Sequence, residues 1–418
     1  MKESPPAPIV DEADVLLCDE VIGLLRCERG PDRITFRFTP GYREQAPRPV
    51  LGQQFENDVD KEYSSSLRVP SWFGHLLPEG QLRQILADHA CVSPEREFYL
   101  LARLGGDLAG AVQVRPRGEW APPGKPRARD AAAEADELRL SLAGMQLKLS
   151  AKEEGQGLTI PARGQGGDWI VKLPGDLPGL PENEAAMLTW ARAAEINVPD
   201  HRIVDVRQIH RLPAEFPKEG MALAVRRYDR TPERRIHQED FAQVLGKPCG
   251  NDHKYQGSYE TVGAVVLARA GLDDFRALVR RLVFVVLSNN ADAHLKNWAL
   301  VYPDGVHPRF APAYDLVFVG AYEKYHQRLA LKLNGARRFE EIRAPHFRGF
   351  AETVLGRVAS TMATPPVLDP AVVEDWARED TARILDAWSA VRASTLLSSE
   401  GKARLDAHLA RMPLARNV

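Results

Sequence analysis

The sequence predicts an α+β protein of two lobes, in which an N-terminal α/β subdomain precedes a mixed sheet-and-helix region and a mainly helical C-terminal lobe. Three observations predict it. Strand-like stretches, one alternating at period two, open the chain. A segment of linker composition interrupts it at 116–137. Apolar residues recur at i, i+3 and i+4 through most of the chain beyond Asp229. At 418 residues the chain is long enough for two or three domains.

Residues 1–14, polar, Pro-rich and acidic, read as a disordered arm. Residues 15–115 read as the first subdomain. VLLCDEVIGLLRCE and ITFRFTP are strand-like, SWFGHLLPEGQLRQILADHA sets Leu82, Ile85 and Leu86 at helical spacing, 94–104 form a further helix ending at Gly105 and Gly106, and GDLAGAVQVRP returns as a strand. The stretch 116–137, rich in Pro, Arg, Ala and acidic residues, reads as a linker. Region 138–228 places the strand-like pieces LTIPA, WIVKLP and MALAVRRY around the helix PENEAAMLTWARAAEI. Region 229–418 carries three amphipathic helical patterns: SYETVGAVVLARAG, DDFRALVRRLVFVVLSNN and PAVVEDWAREDTARILDAWSAVRAST.

Composition narrows the function. With 55 Lys and Arg against 57 Asp and Glu, the net charge is −2, so no global basic field advertises nucleic acid. Cys18, Cys27, Cys91 and Cys249 are far apart with no CxxC or Cys/His cluster, which argues for free thiols in a reducing compartment. The first residues lack the basic and apolar regions of a signal peptide, and the apolar run LVFVVL at 282–287 is too short to span a bilayer. A cytoplasmic enzyme with no membrane association is the expectation.

The chemistry is concentrated in four segments. In SNNADAHLKNWAL (288–300), Asp292 and Asn297 have the Asp-x-x-x-x-Asn spacing of a kinase catalytic loop, where the Asp accepts the substrate hydroxyl proton and the Asn holds magnesium. A solvated turn closing helix 272–287 would show the same spacing. In FAPAYDLVF (310–318), Asp315 lies inside an apolar, strand-like run, where a carboxylate is costly unless paired or metal-bound. In DWIVKLP (168–174), Lys172 stands where a kinase strand lysine would, although an edge-strand lysine snorkelling to water reads alike. Glu184 or Glu182 on the following helix is its candidate partner. LRLSLAGMQLKLSA (138–151) offers small residues and Lys148, whose backbone amides suit phosphates. Each signal also fits a plain turn or strand. Their order along the chain is the order that a two-lobed protein-kinase-like fold requires.

At these segments the chain resembles the HipA-type toxin kinases. The resemblance is carried by SLAGMQLK (141–148), WIVKLP (169–174), NEAAMLTWARAAEINVP (183–199), VRRYDR (225–230), QEDFAQVLG (238–246), NNADAHLKN (289–297) and YDL (314–316), with LLPEG at 76–80 in the first subdomain. It implies a serine/threonine protein kinase using ATP and Mg2+. Asp292 would be the catalytic base, and Asn297 and Asp315 the magnesium ligands. Ala143, Gly144, Met145, Gln146, Leu147 and Lys148 would form the phosphate loop, with Lys172 on the phosphates and Arg226, Arg227 and Tyr228 as the adenine hinge. His294, Lys296 and Tyr314 would lie beside the nucleotide. Ser141 would be the autophosphorylation site that silences the kinase, whereas Ser150 does not match it. The resemblance also implies a small DNA-binding, HipB-like antitoxin, DNA contact only through that complex, a dimer within it, and a protein substrate such as an aminoacyl-tRNA synthetase. The hinge lacks the acidic residue that commonly precedes its Arg-aromatic-Asp, and Met145 and Leu147 make the loop more apolar than usual. Two other readings stand beside this one: a small-molecule kinase of the aminoglycoside phosphotransferase sort, against which stand the separate N-terminal subdomain and the Ser141 loop, and a pseudo-kinase partner in an autorepressing DNA complex.

Overall fold

The computed structural model describes residues 10–28, 33–89, 92–118, 147–155, 157–161, 166–250, 252–325 and 328–417. Ser141 and Ala143 to Gln146 of the expected phosphate loop, and linker residues 119–137, lie outside them.

The N-terminal subdomain is built on an antiparallel sheet of five strands: β1 (Glu12–Leu17), β2 (Glu20–Glu28), β3 (Arg33–Phe38), β4 (Tyr63–Ser66) and β5 (Val112–Pro116), in spatial order β4-β3-β2-β1-β5. Four short helices, α1 (Pro40–Glu44), α2 (Ser71–Gly74), α3 (Gly80–His89) and α4 (Glu97–Leu104), accompany it. The expected arm 1–14 runs too far. β1 already includes Glu12–Asp14, with Ala13 fully buried while Glu12 and Asp14 are paired to Arg26 and Arg117. A strand that turns alternate residues to solvent hides easily in an acidic stretch.

The second sheet has six strands: β6 (Lys148–Glu154), β7 (Gly157–Thr159), β8 (Trp169–Lys172), β9 (His201–Asp205), β10 (Ile209–His210) and β11 (Met221–Arg226), ordered β10-β7-β6-β8-β11-β9, with helix α5 (Leu180–Ala193) against it. Strand β11 explains its own composition. Ala222 and Ala224 join a core shared with the N-terminal subdomain, while Leu223 and Val225 join the core of α5 and the helical lobe. Both faces are covered from Ala222 to Val225, so these four residues are all apolar instead of alternating. Described residues on either side of the expected linker therefore share one core.

The C-terminal lobe opens with β12 (His237–Asp240) and α6 (Phe241–Val244), followed by α7 (Tyr259–Ala270) and α8 (Leu272–Leu287). Strands β13 (Ala299–Tyr302) and β14 (Arg309–Phe310) complete a three-stranded sheet with β12. Helices α9 (Ala344–Ala359), α10 (Pro370–Val391) and α11 (Ser399–Arg411) close the chain. Trp190 of α5 packs on Phe284 of α8 and Trp388 of α10, which fastens the second sheet's helix to this lobe. No helix among the described residues is long and apolar enough to cross a membrane.

Candidate active site

The cleft between the second sheet and the helical lobe has a volume of 1410 Å³. Strand β8 carries Lys172 to it. The buried ammonium pairs with Glu184 of α5 and with Asp315 of the segment after β14. Glu184, not Glu182, is thus the helix partner. Burial opposes the charges of this group. The two carboxylates nevertheless hold Lys172 ionised, and Lys172 and Lys148 together hold Asp315 well below the usual carboxylate range. Lys148 faces Lys172 across the β6–β8 pairing. Its pKa is lowered by burial first and then, against the pull of Asp315, by the charges of Lys172 and Lys296.

The run around Asp315 departs from the strand expected there. Only Arg309–Phe310 pair in a sheet, and Asp315 has φ +52°, in the left-handed region that a side chain adopts at a cost. Asn183 of α5 secures the segment beyond it. Its amide donates to Phe318 O at 3.0 Å, and its Oδ1 accepts from Phe318 N at 2.9 Å.

Helix α8 leads into the loop that carries Asp292 and Asn297, the candidate catalytic loop. Its last turns are apolar all round because they run through the core, and the polar residues that follow, Ser288, Asn289 and Asn290, are still buried. The loop is then tied from within. Asn297 Nδ2 donates to Asp292 O at 2.8 Å, Asp292 N donates to Asn290 Oδ1 at 3.2 Å, and Tyr259 Oη and Trp298 Nε1 both donate to Ala293 O at 3.1 Å. The Asp292 side chain is 52% exposed and faces the cleft. Tyr255 Oη donates to its Oδ1 at 2.6 Å, and His294 Nε2 lies 3.8 Å away.

Lys296 is pinned from both sides. Tyr314 Oη donates to its carbonyl at 2.9 Å, and its Nζ donates to Glu79 Oε1 at 2.5 Å. Glu79 belongs to the N-terminal subdomain and also lies 3.6 Å from Lys254. Burial opposes its charge, but the two lysines outweigh it and hold the carboxyl down at about 2.

At the expected hinge, the Arg226 and Arg227 amides already donate to Asp200 O at 2.7 Å and Asp168 O at 2.8 Å, so neither is left for a purine. The Arg227 guanidinium points away from nucleotide chemistry into a buried cluster with Asp107 and Asp229. Gly110 donates to Asp229 there at 2.7 Å, with φ +75°. A Cβ at Gly110 would come within 2.8 Å of Gln238 N, so the close approach of the two subdomains requires glycine.

Lys148, Lys172, Arg226, Arg227, Tyr228, Asp292, His294, Lys296, Asn297, Tyr314, Asp315 and Leu147 all line this one cleft. Sequence reasoning missed Tyr255 and Lys254, and it passed over Glu79 even though the LLPEG motif contains it. No local pattern announces any of them. Among the described residues no group of three or more His, Cys, Asp or Glu side chains is preassembled for a metal. The oxygen donors offered are the Asp315 carboxylate and the Asn297 side chain. Such a set suits magnesium, which takes few protein ligands and completes its shell with phosphates and water.

Residues 140–388 match the HipA-like C-terminal domain family, and residues 13–115 match the HipA N-terminal domain. A protein of Sinorhizobium fredii named "Putative kinase Y4dM" is 39% identical over 420 residues, covering 98% of this chain and 99% of its own. The serine/threonine-protein kinase toxin HipA of Shewanella oneidensis is 27% identical over 308 residues, covering 65% of this chain and 67% of its own. The solved Shewanella oneidensis complex of HipA, HipB and operator DNA contains a chain of the same fold, with a TM-score of 0.67 at 22% identity, covering 97% of this chain and 99% of that one.

Proposed function

Because this chain belongs to the HipA family, we propose that it is an ATP- and magnesium-dependent serine/threonine protein kinase and the toxin of a toxin–antitoxin pair. One observation carries the reading. Lys172, paired with Glu184 and Asp315, shares a cleft with the Asp292–Asn297 loop. That is the constellation phosphoryl transfer needs, where positioning and charge neutralisation supply most of the rate.

In this mechanism Lys172 and Lys148 hold the nucleotide phosphates and Lys296 offsets the charge developing on them. Asn297 and Asp315 would hold magnesium, which when bound neutralises phosphate charge. Asp292 orients the incoming hydroxyl and takes its proton as the new O–P bond forms and the bond to the departing ADP breaks. Tyr228 and Tyr314, with ring centroids 5.9 Å apart, offer an aromatic wall at the hinge. The finer parts of the proposal come from kinship. They are a HipB-like, DNA-binding antitoxin through which alone DNA is met, a dimer in that complex, an aminoacyl-tRNA synthetase as substrate, and self-inactivation by phosphate on Ser141. The structural neighbour's co-complex with HipB and operator DNA supports the antitoxin.

The test is phosphate incorporation from radiolabelled Mg-ATP. Wild type is expected to label itself on Ser141, and Asp292→Ala and Asp315→Ala are expected to lose at least ~100-fold in rate. Near-normal labelling by either variant, at matched circular dichroism, refutes the assignment.

A further inference from the structure

Tyr255 has no place in that mechanism, yet it makes the closest side-chain contact to the Asp292 carboxylate of any described residue: its hydroxyl donates to Oδ1 at 2.6 Å. It sits in a single 3-10 turn, His253–Tyr255, that connects α6 to α7. The ring is half-buried and is not part of the hydrophobic core. It lines the same cleft as Asp292 and meets the edge of the His294 ring at 5.1 Å between centroids. The residue before it, Lys254, is drawn towards Glu79, and Arg337 Nη2 donates to Tyr255 O at 3.4 Å. The turn that carries the ring is therefore held from the N-terminal subdomain and from the helical lobe.

An ionised carboxylate only accepts hydrogen bonds. A serine or threonine hydroxyl approaching Asp292 must offer it the contact that Tyr255 now makes: an O–H donor within hydrogen-bond reach of the base. We infer that the Tyr255 hydroxyl occupies the acceptor station of the cleft as an internal stand-in for the substrate hydroxyl, which it excludes until the side chain swings aside. The inference rests on the kinase reading of this cleft. Burial, and after it the Asp292 charge, push the Tyr255 phenol up, so it remains a protonated donor at neutral pH. A residue that merely oriented Asp292 would make the same bond, and the two roles predict opposite effects on turnover.

Water is the simplest acceptor hydroxyl, so Mg-ATP hydrolysis by the full-length protein reads the station directly. ATP and water yield ADP, phosphate and a proton. Tyr255→Phe keeps the ring and removes the donor. It is expected to raise hydrolysis roughly tenfold, as loss of one hydrogen bond to a charged group allows, with the KM for ATP unchanged. Tyr255→Leu should act in the same direction, and adding Asp292→Ala to either variant should abolish the gain. Turnover in wild type that both variants leave unchanged or lower overturns the stand-in and leaves the kinase reading intact. If neither wild type nor the variants show Asp292-dependent turnover, the kinase reading falls and this inference falls with it.

Discussion

Glu79 of the N-terminal subdomain accepts a hydrogen bond from Lys296 of the Asp292–Asn297 loop at 2.5 Å, across 217 positions of sequence. Lys296 and Lys254, which Glu79 also faces, have side chains only 8% and 7% exposed. The carboxylate therefore supplies the negative charge that two buried ammonium groups require.

Phosphates would supply the same charge. Glu79→Gln should cost about 3 kcal/mol of stability by leaving the lysines uncompensated. Mg-ATP should then raise the melting temperature of the variant more than that of wild type, because the ligand replaces the missing counter-charge. Differential scanning fluorimetry across a nucleotide titration measures both. Equal shifts in the two proteins would show that the phosphates do not reach Lys296.

Lys172→Met leaves Glu184 and Asp315 facing each other without their shared cation. Urea denaturation should show a loss of about 3 kcal/mol, and the thermal shift on Mg-ATP should shrink towards zero. Lys172→Arg keeps the charge, but a planar fork does not replace a compact ammonium between two carboxylates, so most of the activity should stay lost. Wild-type nucleotide response in Lys172→Met would remove this residue from the phosphate site.

The parts of this site legible in the sequence are those fixed by local spacing. Asp292 and Asn297 sit on one loop, and the polar exit of α8 could be read where its apolar run stops. Lys172 could be read because β8 is short and ends in it. What stayed hidden depends on long-range packing. Glu79 and Tyr255 reach the cleft from 217 and 37 positions away from their partners, and no periodicity reports such distances. Asp315 was legible as a residue but not as a backbone conformation. The apolar run around it reads as a strand, whereas only Arg309–Phe310 pair in a sheet and Asp315 itself adopts a left-handed backbone. The dense apolar pattern of β11 was visible, but that it marks burial on both faces became clear only once the N-terminal subdomain was seen on one side and α5 on the other.

His237 of β12 should make the contact between the subdomains sensitive to acid. Its Nε2 bonds Leu51 O at 2.7 Å, Nδ1 is buried without a partner, and burial drives the pKa down to about 4. The unfolded chain binds this proton near pH 6.5, whereas the folded one refuses it until about 4. Stability from this group is therefore full above pH 6.5, falls as pH drops through the window, and levels off below 4, for about 3 kcal/mol in all. Glu239, pushed up to about 7 by burial, slopes the opposite way between its unfolded pKa and 7, so the comparison must be with His237→Gln and not with wild type alone. Chemical denaturation of both proteins from pH 4 to 8 gives the difference. Parallel pH profiles would show that His237 does not titrate in this range.

His408 of α11 braces the loop that carries Asp292 from behind. Its Nε2 bonds Val286 O at 3.0 Å at the end of α8, and Asn289 Nδ2 lies 3.2 Å from its Nδ1. An amide nitrogen can only donate, so Nδ1 accepts and Nε2 carries the proton. Burial favours this neutral form by lowering the pKa of the ring. Asn289 stands at φ +48°, and its carbonyl accepts from Val319 N at 3.2 Å, beyond Asp315. One imidazole thus steadies both the loop that presents Asp292 and the segment that presents Asp315. His408→Phe fills the space but makes neither bond. Because small displacements of reacting groups can cost up to ~100-fold in rate, turnover should fall by roughly ten- to a hundredfold while the KM for ATP changes little. A variant that melts earlier but turns over normally at low temperature would reduce His408 to a packing residue. Recovery of turnover in His408→Gln, whose amide can still accept from Asn289 through its oxygen, would locate the effect in the hydrogen bond and not in the ring.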